Sequence, residues 1–360
     1  MKAAVLNQIG DTELELRDDV TTTDVGPAEI RIRVRATGVC HSDISAMDGT
    51  LPALAPGILG HEGAGEVVEI GGAVDQFAVG DHAVLTFVPP CGTCVNCVGG
   101  RPHLCAIHSI AAFMNPRFVV GGNPAFGYAG TGTFAEELVV PAAGAVQIGA
   151  DIPFEIAALV ACGVMTGVGA VLNTAKVTPG STVLVLGCGG VGISVIQGAR
   201  LSGAAQIVAV DPVVDKHEIA RHFGATHAVT PEQVAGLHQS LTGSQGWDYA
   251  FDVVGAPPTI RSAWDNARRG GTVVVVGAGR ADAMVRFSAQ ELFLHDKRLL
   301  GSFYGGADVR RDYPMLLRLW QAGKLDLDGM ITKRIKLDEI NDALRALRDG
   351  ANVIRQIVTY

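Results

Sequence analysis

Ser181-Thr-Val-Leu-Val-Leu-Gly-Cys-Gly-Gly-Val-Gly192 is the stretch that decides how the chain is read. Thr182 to Leu186 is a short branched apolar run, broken by Gly187, Gly189, Gly190 and Gly192. Val191, Val195 and Ala199 follow at helical spacing and Gly203 closes them, so the spacing predicts strand, glycine turn and helix. Glycines let the backbone turn tightly and approach a pyrophosphate, whose charge the first N–H groups and the dipole of the helix would hold. A second run, Ile207-Val-Ala-Val-Asp211, ends in an acid 19 residues after Gly192, where an adenosine ribose hydroxyl needs an acceptor. Turn, helix and acid together point to a dinucleotide.

Strand and helix go on alternating from there. Strands are predicted at 182–187, 207–211, 227–230, 249–254, 272–277 and 298–303, with helices such as 215–223 and 259–268 between them. Six strands in that order fit a doubly wound parallel sheet. After 304 come helices at 313–322 and 337–348 and a closing strand at 354–358. The first 90 residues differ, with short β-rich runs at 3–6, 13–17, 29–35, 65–70 and 82–87. That spacing predicts a compact antiparallel or barrel-like domain. Residues 106–132 read as a long ordered loop, a substrate rim or subunit contact, and 153–169 as one helix carrying Cys162.

Composition narrows the function. A length of 360 residues suggests two domains, and a net charge of −8 without a basic run excludes nucleic acid as a partner. Met1-Lys-Ala-Ala-Val-Leu-Asn-Gln lacks the apolar core of a signal peptide, and no apolar stretch reaches membrane length, so a soluble, cytoplasmic chain with no membrane partner is expected. Seven cysteines in such a chain point to metal or catalysis rather than disulfides.

Four of the seven are Cys91, Cys94, Cys97 and Cys105. Four thiolates so close converge on one tetrahedral ion, and a closed four-sulfur shell leaves no open position, so the lobe at 91–105 is expected to hold a structural zinc. Of the other three, Cys188 lies inside the glycine turn and reads as packing. Cys40 and Cys162, with His61, would make a Cys₂His zinc site with an open fourth position.

In Gly38-Val-Cys40-His-Ser-Asp43, Gly60-His61-Glu62-Gly-Ala-Gly65-Glu66-Val67, the four-cysteine lobe, Cys162-Gly163, the turn from Gly187 to Gly192 and Asp211, the chain resembles the zinc-dependent alcohol dehydrogenases of the medium-chain dehydrogenase/reductase superfamily. The resemblance covers nearly the whole length. It implies an α/β fold: a β-rich GroES-like catalytic domain at 1–163, a Rossmann NAD-binding domain at 164–302, and a segment at 303–360 returning to the catalytic domain.

The same resemblance implies the site. Cys40, His61 and Cys162 would hold a catalytic zinc, with Glu62 as an occasional or outer ligand, making two Zn²⁺ per subunit. Asp43 would accept a hydrogen bond from the second ring nitrogen of His61, and Ser42 would take the alcohol proton. NAD would meet the glycine turn, Asp211 and Lys216, with His41 and Arg355 at the pyrophosphate and Val191 and Thr166 near the nicotinamide. Asp211 followed by Pro212-Val213-Val214 offers no Arg to a 2′-phosphate, which favours NAD over NADP. Many members carry a His two residues after the Asp of the Cys-His-Ser-Asp motif, to pass the proton outward; this chain has Ser45, leaving His41 or a water chain.

Leu51 and Phe87 match substrate-channel positions and are apolar, so the expected substrate is a primary alcohol, medium-chain or aromatic, converted to its aldehyde; a ketone from a secondary alcohol is the other product class. Phe126 or other aromatics of 106–132 would add to the pocket. One alternative is a thiol-adduct formaldehyde dehydrogenase, with Arg101 or Arg117 at the pocket mouth. Another is a non-catalytic NAD-binding zinc protein, which would not need the open metal site that Cys40, His61, Cys162 and Ser42 suggest. The last strands of the nucleotide domain leave a sheet edge, so a homodimer is expected, with a tetramer as the other arrangement.

Overall fold

The computed structural model describes residues 1–350 and 353–360, which fall into two compact units. One comprises Met1–Cys162 with Asp308–Tyr360, the other Gly163–Ala307.

The second unit follows from the glycine turn. Its strands are Thr182–Leu186, Gln206–Val210, His227–Val229, Trp247–Asp252, Ala267–Val275 and Arg298–Gly301. Every neighbouring pair is parallel, and the order is third, second, first, fourth, fifth, sixth. Helices cover a parallel sheet on both faces, which is why Val183 to Leu186 are buried without alternation. The order reverses between the first and fourth strands, and ligands of such sheets bind outside the carboxyl ends at that switch. Trp247 and Trp264 anchor the core with Leu184, Val208, Ala250 and Val273.

The first unit is built on the long strand Glu29–Val39. Ile30, Ile32 and Val34 point inward while Glu29, Arg31 and Arg33 lie outside, the period-two pattern of a sheet with one wet face. This strand pairs with Glu62–Ile70, Glu137–Pro141 and Arg355–Thr359 in a seven-stranded sheet. Register sets Gly38 opposite both Glu62 and Ile357, bringing three distant segments to one end of the sheet. A second sheet of six strands includes Ala3–Leu6 and Gly57–Ile58. The helix Val309–Gln321 is tied in by the buried Tyr313 hydroxyl, which donates to the carbonyls of Leu85 (3.1 Å) and Ala161 (3.0 Å).

Two expectations need correction. Residues 106–132 are not a loop: they form the helix Ala106–Met114 and a hairpin of Phe118–Val120 with Asn123–Gly127. Ile107, Ile110 and Met114 already stand at helical spacing, and Gly121-Gly122, both with positive φ, supply a hairpin turn. The expected helix at 153–169 is two helices, Phe154–Val160 and Gly163–Gly169, with Cys162 in the break. No single helix among the described residues is long and apolar enough to cross a membrane.

Candidate active site

Cys40 follows the long strand and caps the helix His41–Met47, His61 follows the turn at Gly60, and Glu62 opens the next strand. Ligand atoms of Cys40, His61, Glu62 and Cys162 lie within 4.8 Å of one another, and all four residues are buried. Asp43, fully buried, holds the group in place. Its carboxylate accepts the Cys40 N–H (3.0 Å) and the Gly60 N–H (3.1 Å), and lies 3.2 Å from His61 Nδ1. With Nδ1 facing Asp43, Nε2 is the nitrogen that a bound ion would take in place of a proton.

The electrostatics describe a site that demands a cation. Cys40 is held well below the ordinary thiol range, first by a hydrogen bond from Cys162, against the effect of burial, and then by His61. Burial pushes His61 down, but Asp43 and Cys40 outweigh it and raise the imidazole to about 10. Two sulfurs, an oriented imidazole and buried carboxylates suit a zinc ion with three protein ligands. Glu62 also meets the Arg355 guanidinium, a pair both of whose side chains are buried.

The four-cysteine lobe fits a second ion. None of its cysteines forms a disulfide, and their sulfurs lie within 4.8 Å of one another. Cys91 and Cys97 Sγ are 3.8 Å apart, and a tetrahedron with zinc–sulfur bonds of about 2.3 Å has edges of about 3.8 Å. The N–H groups of Thr93 (3.4 Å) and Cys94 (3.3 Å) donate to Cys91 Sγ and lower its thiol to about 5.

In the second unit the glycine turn has the predicted shape. Gly187 has φ +102°, and a Cβ on Gly192 would stand 1.9 Å from the Gly187 carbonyl, so helix and strand pack at a distance only glycine allows. The helix begins at Gly190 with Val191 next. Asp211 accepts the N–H groups of Cys188 (2.8 Å) and Val213 (2.9 Å), with Lys216 Nζ 3.8 Å away. Burial pushes the Cys188 thiol up to about 12, which suits an inert packing residue. Thr166 lies half-buried in the helix Gly163–Gly169.

Comparison with known proteins agrees with this geometry. The family model for the alcohol dehydrogenase GroES-like domain matches residues 26–150 and that for zinc-binding dehydrogenase matches 190–322. A putative alcohol dehydrogenase D of Mycobacterium tuberculosis is 38% identical over 92% of this chain and 93% of its own. The chain belongs to the zinc-dependent alcohol dehydrogenases of the medium-chain dehydrogenase/reductase superfamily. It is similar also to S-(hydroxymethyl)glutathione dehydrogenase of Paracoccus denitrificans, at 35% identity over 92% of each chain. The crystal structure of benzyl alcohol dehydrogenase from Acinetobacter calcoaceticus superposes with a TM-score of 0.90, at 30% identity, covering 99% of this chain and 98% of that one. The protein is thus an alcohol dehydrogenase of this type, using zinc and NAD(P), with a GroES-like and a Rossmann domain.

The structure also places the other residues expected at the site. Phe87 stands edge-on to His61 at 5.5 Å between ring centroids. Tyr128 does the same at 5.4 Å, and its hydroxyl donates to the Ser42 carbonyl (3.2 Å). Sequence reasoning missed Tyr128, since nothing local to Gly127-Tyr128-Ala129 relates it to His61. Leu51 is half-buried, with its N–H on the Ser45 carbonyl. Ser42 Oγ is 3.6 Å from Cys40 Sγ, and His41 is exposed at the start of the same helix. Phe126 is half-buried in the hairpin, and its N–H donates to the Pro56 carbonyl. Arg101 is exposed within the lobe, whereas Arg117 pairs with Glu29.

Proposed function

We propose that the protein oxidises primary alcohols with an apolar tail, medium-chain or aromatic, to aldehydes with NAD, and runs the reverse reduction at the same site. The observation that carries this reading is the buried Cys40, His61, Glu62 and Cys162 cluster with Phe87 and Tyr128 edge-on to its imidazole. Cys40, His61 and Cys162 would hold a zinc ion, which would supply Lewis acidity for an alcohol oxygen, and the glycine turn and Asp211 would hold NAD as the hydride acceptor. Asp43 keeps the His61 ring in one tautomer and orientation. Ser42 Oγ takes the alcohol proton and passes it toward His41, its exposed neighbour. Phe87 and Tyr128 give the tail apolar contact and keep water from the reacting carbon. The lobe at 91–105 holds a second, structural ion.

NAD is favoured over NADP because the Asp211 carboxylate would repel a 2′-phosphate and the next three residues offer no cation. Pairing of two copies along the strand Arg298–Gly301 makes the protein a homodimer. That strand has one neighbour among the described residues, and Leu299 on it, Phe303 two residues beyond it and Phe293 (82% exposed) in the helix just before it are exposed apolar side chains. The relative named for a glutathione adduct motivates the second reading, but Arg117 is already committed to Glu29.

The test is the initial rate of NAD reduction by zinc-loaded protein with benzyl alcohol or a medium-chain primary alcohol, without thiol. Fast turnover is expected. Turnover of formaldehyde only once a low-molecular-weight thiol is supplied would replace this reading with the adduct dehydrogenase.

A further inference from the structure

Asp252 is a fully buried carboxylate at the carboxyl end of the fourth strand of the parallel sheet, where the loops after the fourth and fifth strands meet. Its register partners are Leu186, which leads into the glycine turn, and Val275 at the end of the fifth strand. The side chain accepts the Gly255 N–H at 2.9 Å, closing the loop after the fourth strand. Its main-chain carbonyl accepts the N–H groups of Val276 (2.8 Å) and Gly277 (3.1 Å), closing the loop after the fifth. One residue therefore ties two loops, by different groups.

The two loops meet backbone to backbone. A Cβ on Gly277 would stand 2.2 Å from Gly255 N, and one on Gly279 2.4 Å from the Gly255 carbonyl. Next to this contact, the side chains of Val253 and Val254 reach 2.9 and 3.0 Å from where a Cβ on Gly187 would stand, so the loop abuts the glycine turn directly. Val254 is also 49% exposed. A fully buried carboxylate is costly to keep where an apolar side chain would pack without charge. Burial accordingly pushes the Asp252 carboxyl up, opposed by the Thr259 hydroxyl and the Gly255 N–H.

Strand order says which half of the cofactor this edge serves. Asp211, the ribose acceptor, lies on the second-strand side of the glycine turn, which is the adenosine half. A doubly wound sheet is two mononucleotide halves, so the fourth and fifth strands carry the other. We infer that Asp252 is a positioning residue for the nicotinamide half of the cofactor, fixing the shape of the two loops against which that half is selected. The inference rests on the dinucleotide reading of this unit.

The test is calorimetric titration of the zinc-loaded protein with NADH and with ADP-ribose, which lacks the nicotinamide. If wild type binds NADPH more tightly, that nucleotide and its phosphorylated ADP-ribose are used instead; the cofactor preference is then revised and the Asp252 comparison stands. Asp252→Ala is expected to weaken NADH about tenfold while leaving ADP-ribose within about twofold. Asp252→Asn, whose amide oxygen still accepts from Gly255, is expected to recover most of the loss. Where Asp252→Ala does not fold, Gly279→Ala perturbs the same junction and should show the same split. Equal weakening of both ligands, or of neither, would overturn the inference.

Discussion

Asp43 shows how one side chain can set a metal site without touching the metal. Three donors converge on its carboxylate, two from the backbone on either side of the ligands and one from His61. Removing it frees the imidazole to rotate and leaves two buried N–H groups unpaired. Asp43→Ala is expected to lower zinc affinity at the Cys40, His61 and Cys162 site by roughly 10- to 100-fold, with the lobe zinc retained. Chelator competition with metal analysis resolves the two ions, and loss of both together would count against this role. The clustering of Cys40, His61, Glu62 and Cys162, and of the four lobe cysteines, was legible in the sequence because metal binding restricts residue types. Tyr128 and the Glu62 to Arg355 pair were not legible, because sheet register, not neighbouring residues, brings them together.

At the scale of elements, the lobe at 91–105 has little apolar core: Val95 and Val98 are exposed and Cys105 is its one buried cysteine. Its order should depend on the ion. Removing zinc is expected to speed amide exchange across the lobe, above all at Thr93 and Cys94, while the parallel sheet stays protected; unchanged exchange there would remove the metal from its stability.

The helix Ala289–His295 makes a pH prediction. Glu291 is lowered to about 2, first by Arg261 and then by the Ser288 N–H, so it binds protons less readily folded than unfolded. A depressed carboxyl stabilises above its unfolded value of 4.5 and loses that contribution as pH falls toward about 2. The difference in unfolding midpoint between wild type and Glu291→Gln should be full at pH 6 and shrink below 4.5. A difference that stays constant through that range would show the ion pair to be inert.

For the whole molecule, the exposed apolar edge of the parallel sheet is a liability unless covered. Leu299→Arg places a charge on the edge strand and is expected to turn a dimer into a monomer, measured by analytical ultracentrifugation at several concentrations. A wild-type protein that sediments as a monomer throughout would refute pairing at this edge. The tail from Asp308 belongs to the same compact unit as the first 162 residues, and the Tyr313 hydroxyl on the Leu85 and Ala161 carbonyls shows one physical tie.

The sequence alone determined what depends on neighbours. Strand, glycine turn and helix around Gly187, the acid at Asp211 and the sulfur spacing of the lobe are local, because backbone geometry and ligand type act over a few residues. The hairpin turn at Gly121-Gly122 was local too, and was hidden by reading its surroundings as a loop. Only the tertiary structure decided that Arg355 meets Glu62, that Tyr128 stands against the imidazole and that Asp252 ties two loops. Each of these is set by strand order and register, in which residues far apart in the chain become neighbours through hydrogen bonds that no local sequence pattern records.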